Sequence, residues 1–155
     1  MKYLCLVLLP LLVHLQAEVV SYDFPDAFPV SERYQVTVDG HGIAPLQTAR
    51  GAILNFGMEG PVRVRVQLDR APEEVVIRPL SAGIEAELQG KAISFELPRP
   101  MNLSLEVDGD LDDPLLVFAN PANLNPPPRD DPKVKYFEGG KIHQVGEIFL
   151  DDGET

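Results

Sequence analysis

Three aspartate doublets, Asp112-Asp113, Asp130-Asp131 and Asp151-Asp152, are the residues of this chain best suited to acid–base chemistry. Glycoside hydrolysis uses two carboxyl groups, one as general acid and one as base or nucleophile. A rigid scaffold must hold them about 5 to 9.5 Å apart and raise the pKa of one. Here the doublets are followed closely by Pro114, Pro132 and Gly153, residues that mark turns. They therefore read as solvated turn residues, and no catalytic residue is assigned. Asp108-Gly109-Asp110-Leu111-Asp112-Asp113 opens like a calcium loop. Its sixth position, however, is Asp113 where glycine is needed, and its twelfth is Ala119 where glutamate is needed. The simpler reading is a hairpin turn, and no metal ligand or cofactor is assigned.

Other constellations are thinner. His41 and His143 are far apart, and neither has a second histidine nearby to make a metal pair. No Gly-x-Ser-x-Gly elbow and no Gly-x-x-x-x-Gly-Lys loop occurs, so hydrolase triads and nucleotide phosphate binding have no support. Asn102-Leu103-Ser104 fits the glycan acceptor pattern but begins an expected strand, and is read as coincidence. Tyr22, Phe24, Phe28 and Tyr34 could stack on sugar rings, although packing in the core or at an edge is the more ordinary role for such residues. No substrate-binding residue is assigned.

The elements that would carry these residues are strands. Val62, Val64, Val66 and Leu68 alternate with Arg63, Arg65 and Gln67, the period of two expected of a sheet with one buried face. The same alternation recurs in Tyr34-Val36-Val38, Ile84-Ala86-Leu88, Ile93-Phe95-Leu97 and Leu103-Leu105-Val107. Val75 to Ile77 and Leu115 to Phe118 read as strands buried on both faces. Asp39-Gly40, Glu59-Gly60-Pro61, Gln89-Gly90 and Asp108-Gly109 supply turns between them. Ala44 to Ala52 is the only helix candidate, and Pro45 and Gly51 cut it down to a turn or another strand. The fold class is all-β, an immunoglobulin-like two-sheet β-sandwich.

Composition bounds the rest. The chain has 155 residues with a net charge of −11, so duplex nucleic acid, which needs a basic surface, is not an expected partner. The same acidity repels anionic polymers such as pectate; Arg63 and Arg65 on one strand face are the only seed of a basic patch. Residues 1–17 read as a secretory signal peptide: Met1 and Lys2, an apolar run from Leu4 to Leu15, then Gln16 and Ala17. That run is too short to span a bilayer, which takes about 20 apolar residues, so the chain is not expected to be integral to a membrane. Cleavage removes Cys5, the only cysteine, and with it thiol catalysis, haem attachment and zinc–cysteine sites. The expected location is secreted, extracellular or periplasmic.

Four segments result. After 1–17 comes a sandwich over 18–120. A proline-rich linker follows over 121–132, with Pro126-Pro127-Pro128 and Arg129-Asp130-Asp131-Pro132. The last segment, 133–155, holds short β stretches at Val134 to Phe137, Lys141 to Val145 and Glu147 to Leu150.

Tyr136-Phe137-Glu138-Gly139-Gly140-Lys141-Ile142-His143-Gln144-Val145-Gly146-Glu147-Ile148-Phe149-Leu150 resembles the opening coil of right-handed parallel β-helix enzymes that act on polysaccharides. These are glycoside hydrolases similar to family 28 (polygalacturonase-like) and family 49 (dextranase and isopullulanase). Upstream, Gly60 to Val64, Ile77 to Leu80, Leu103 to Asp110 and Leu116 to Pro121 follow in the order seen in the N-terminal β-sandwich of such enzymes. The turn before the coil has Gly139 where that pattern has proline. The resemblance implies a sandwich followed by the start of a β-helix, with catalytic aspartates on later coils, in an Asn-Thr-Asp motif and a following Asp-Asp pair. This chain has no Asn-Thr-Asp.

The expected function is therefore a non-catalytic N-terminal accessory domain, a fragment that caps the β-helix of a secreted polysaccharide-degrading hydrolase. Its expected partners are the missing coils and, through the parent enzyme, a polysaccharide. The alternative is a stand-alone secreted carbohydrate-binding or adhesion module. One coil has too few apolar residues to offset the entropy of ordering it and needs a neighbour to stack on. The competing expectation is that it folds back as edge strands of the sandwich.

Overall fold

The computed structural model describes residues 18–22 and 24–152; the expected signal peptide, with Cys5, lies outside them. The strands are β1 (Glu18–Ser21), β2 (Gln35–Val38), β3 (His41–Ile43), β4 (Leu46–Thr48), β5 (Gly51–Glu59), β6 (Val62–Gln67), β7 (Val75–Arg78), β8 (Glu87–Gln89), β9 (Ala92–Leu97), β10 (Met101–Val107) and β11 (Asp110–Pro121). Among the described residues the one helical element is a single 3-10 turn, Leu80–Ala82. The all-β class follows from the alternating pattern. In β6, Val62, Val64 and Val66 are buried while Arg63 and Arg65 are exposed.

The strands form two sheets. One has the order β1-β5-β11-β10-β7, with β4 also pairing β5; the other has the order β3-β2-β6-β9-β8. All pairings are antiparallel except β5 with β11, which run parallel from Ala52↔Leu115 to Met58↔Pro121. Leu54, Phe56, Leu105, Leu115 and Val117 from the first sheet and Val38, Val64, Val66, Ile93 and Phe95 from the second meet in one core cluster. The arrangement is sandwich-like, each sheet burying one face on the other. Hairpin turns fix the register. Asp108 and Gly109, between β10 and β11, both have positive φ (55° and 69°), the backbone that a two-residue hairpin with matched twist requires.

Several expectations need correcting. β5 is a nine-residue central strand that the alternation had not singled out, and Leu46–Thr48 pairs with it, so of the two readings of Ala44 to Ala52, a turn or another strand, the strand holds. Ile84 and Ala86 lie before β8, so that strand is shorter than its alternation suggested. Leu116, Phe118 and Val76 are half-buried, so the stretches read as covered on both sides are covered on one. Asp112 and Asp113 sit within β11 and not in a turn. From Ala122 to Asp152 no strand forms, so the three expected β stretches of the final segment are not formed in this chain, and the start of a β-helix is not shown. Its backbone joins no ladder among the described residues, and the segment is held by local turns such as Asp131 N–H to the Pro128 carbonyl and Val134 N–H to the Asp131 carbonyl.

Candidate functional site

The most connected polar group lies where β11 starts. Asp110 Oδ2 accepts from Arg33 Nη1 at 2.7 Å, and Asp113 Oδ2 from the same nitrogen at 3.2 Å. Asp113 Oδ1 accepts from Gln47 Nε2 at 3.0 Å, and its backbone carbonyl from the Tyr34 hydroxyl at 2.7 Å. Asp110 Oδ1 takes the N–H groups of Asp112 and Asp113 at 3.1 and 3.2 Å. Three stretches distant in sequence are tied together at this point. The Asp110 carboxyl is held below the usual carboxylate range, first by the Arg33 hydrogen bond and then by the backbone donors. Burial opposes the charge on Arg33, but its acidic partners win and its pKa rises. Tyr34 is buried, and burial pushes its phenol up to about 12.

This chemistry is that of a clasp. A glycoside hydrolase needs a carboxyl group with a raised pKa; Asp110 is shifted the opposite way, and Asp113 is fully engaged. The calcium-like stretch is similarly occupied. Asp108 Oδ1 takes the N–H groups of Glu73 and Glu74 at 2.7 and 3.1 Å, and Arg70 Nη2 stands 2.7 Å from its other oxygen. These backbone bonds, followed by Arg70, lower the Asp108 pKa. Asp108 and Asp110 turn to different arginines and do not converge on one point.

The other candidates are dispersed. Asp131 Oδ1 takes the Lys133 N–H at 2.9 Å in a local turn, and Asp151 and Asp152 are exposed. His41 is exposed on β3. His143 packs edge-on against Phe137 with ring centroids 5.5 Å apart, and its Nε2 lies 2.8 Å from the Glu138 carbonyl. Arg63 pairs with Glu87, and with Glu96 at 3.4 Å, so the basic seed is reduced to Arg65. Asn102 is exposed on β10. Tyr34 belongs to the core, whereas Tyr22, Phe24 and Phe28 line a groove of about 820 Å³ beside β3 and β4, with Gly140 of the C-terminal segment at its rim.

The unusual surface is that C-terminal segment. Tyr136, Phe137, Ile142, Val145, Ile148, Phe149 and Leu150 are all exposed, from 44% at Phe137 to 74% at Phe149. Five of them border an open apolar cleft of about 480 Å³. Such a density of uncovered apolar side chains in one short stretch marks an interaction surface. Sequence reading found these residues but assigned them to strands. It missed the Arg33–Asp110–Asp113 clasp, because nothing local links residues 77 and 80 positions apart.

Among the described residues no helix is long and apolar enough to cross a membrane. Comparison of the chain with models of known protein families gave no match, and comparison with curated proteins gave none.

Proposed function

We propose that this chain is the immunoglobulin-like N-terminal sandwich and first-coil segment of a secreted β-helix glycoside hydrolase acting on a polysaccharide, and that its own role is non-catalytic. The sandwich caps the helix, and residues 133–155 form a rung when further coils stack on them. Residues 1–17 direct export, and the chemistry resides on later coils. The observation that carries this reading is the uncovered apolar strip from Tyr136 to Leu150, which has the composition of a coil and, among the described residues, no partner strand.

The test is to read the coding region beyond Thr155 and to probe the chain by limited proteolysis. An Asn-Thr-Asp motif with a later Asp-Asp pair downstream, and rapid cleavage after Asp130, are the expected results. A C-terminal segment as resistant as the sandwich would overturn the reading, as would glycosidase activity from the 155 residues alone. A second reading, a sugar-binding or adhesion module acting by itself, draws on the aromatic groove at Tyr22, Phe24 and Phe28. Retention of the isolated chain on insoluble polysaccharide is its test.

A further inference from the structure

The outward faces of the two sheets differ in kind. That of the five-stranded sheet is charged, with Arg63 and Arg65 beside Glu87 and Glu96, as an ordinary wetted face should be. That of the six-stranded sheet is partly apolar and uncharged at its centre, with the exposed carboxylates Glu18, Glu59 and Asp112 towards its ends. Across β5, β11 and β10 its rows run, in register, Ile53–Leu116–Ser104 and Asn55–Phe118–Asn102, and Asn120 stands beside Gly57 in the next row. Phe118 is thus flanked by an asparagine on each neighbouring strand. Of the charges on this face, Arg78 and Glu106 are engaged with each other at 2.9 and 3.0 Å, and the carboxylates towards its ends add only negative charge.

The amides keep open valences. Asn120 Nδ2 donates to Asn55 Oδ1 at 2.9 Å, which holds both side chains and leaves the Asn55 amide hydrogens and Asn120 Oδ1 unused among the described residues. Asn102 has no side-chain bond among them. At the end of the same face a Cβ on Gly57 would stand 2.8 Å from the Tyr22 hydroxyl, so Tyr22 lies over the sheet there and glycine makes room for it. The face therefore carries two aromatic rings with ordered amides between them.

We propose that this outer face of the six-stranded sheet binds a neutral polysaccharide chain. Sugar rings present a C–H face and an edge of hydroxyls. The Phe118 ring, with Leu116 and Ile53 beside it, suits the first; Asn55, Asn102 and Asn120 donate to and accept from the second. An apolar protein surface fits less well, since it would leave the buried amides unmatched. Anionic polymers are disfavoured by the net charge of −11 and by the engagement of Arg78 with Glu106. The inference does not need the parent-enzyme reading. It deepens the second reading and centres it on Phe118 instead of the groove at Phe28, with Tyr22 bordering both.

The test is affinity electrophoresis of the whole chain in gels containing dextran, galactomannan, hydroxyethyl cellulose or polygalacturonate. Retardation is expected in at least one neutral gel and not in polygalacturonate. Phe118→Ala should weaken it about tenfold, and Asn102→Ala, at an exposed position that folding does not need, severalfold. Phe28→Ala should leave it unchanged. Retardation that Phe28→Ala abolishes while Phe118→Ala and Asn102→Ala keep it would move sugar binding to the groove and overturn the proposal alone. No retardation in any neutral gel, or retardation by polygalacturonate only, would overturn both it and the second reading, leaving the parent-enzyme reading standing. A dimer in sedimentation that Phe118→Asp splits would give the face to a second copy and likewise overturn the proposal.

Discussion

Ending the chain after Asn125 should leave the sandwich almost as stable as before. Among the described residues, the hydrogen bonds and ion pairs of residues 126–152 run within that segment: Asp131 to Pro128, Lys133 to Asp131, Lys141 to Glu138, Lys135 to the Phe149 carbonyl. Its approach to the sandwich is Gly140 at the rim of the N-terminal groove. The large apolar side chains that leave with it are mostly exposed, so their loss uncovers little core. A change of the size seen for surface substitutions follows, within about 0.5 kcal/mol. For a domain of this size that is a shift of roughly 2 to 4 °C in midpoint. Thermal melts and urea titrations of the two forms, followed by circular dichroism, measure it, and dye binding to exposed apolar surface should fall in the shortened chain. A loss above about 2 kcal/mol would mean that the segment is packed on the sandwich in solution. The account of an unpartnered strip would then fail.

Arg33→Ala strips Asp110 and Asp113 of their shared cation beside the Tyr34 hydroxyl and should cost about 1 to 3 kcal/mol in urea denaturation, with Arg33→Lys recovering only part. Acid should expose the same clasp. Asp110 and Asp108 have folded pKa values below their unfolded ones, so their contribution is complete above about pH 4 and disappears as pH falls through the lower folded values; Asp110→Asn should flatten that part of the stability profile. At the alkaline end Tyr34 should ionise only near pH 12 in an ultraviolet titration. Stability should drop between about pH 10, where the unfolded phenol ionises, and about 12, and Tyr34→Phe should remove that drop. Phe56→Ala empties a fully buried position of β5 and should cost about 3 to 5 kcal/mol.

The sequence made the two-sheet class legible because alternation is a local property: Val62 to Leu68 states its own inward and outward residues. β5 was hidden although Ala52, Leu54, Phe56 and Met58 alternate perfectly. Ile53 on the outward side and the glycines at 51 and 57 blur the pattern, and their reasons lie elsewhere in the fold. Gly57 is needed because Tyr22 crosses it, which no window around residue 57 reveals. Leu115 to Phe118 looked buried on both sides because periodicity cannot separate a covered outer face from an apolar but open one. The clasp at Asp110 depends on which loop ends up beside which strand start, and that is decided by topology. The final segment reads as strands from its short apolar stretches and from its resemblance to a coil, and both describe what a stretch could pair with, not whether a partner is there.

The parallel pairing of β5 with β11 also sets where the sandwich is tethered. The chain enters the sheet at Glu18, opposite Glu59, and leaves it at Pro121, opposite Met58, so entry and exit flank β5 at the same end, about two strand spacings or 10 Å apart. A tensile load applied between these two points would peel β1 from β5 bond by bond and would not shear the ladder. Mechanically, the domain is a flap hung from one side, and it should open at low force.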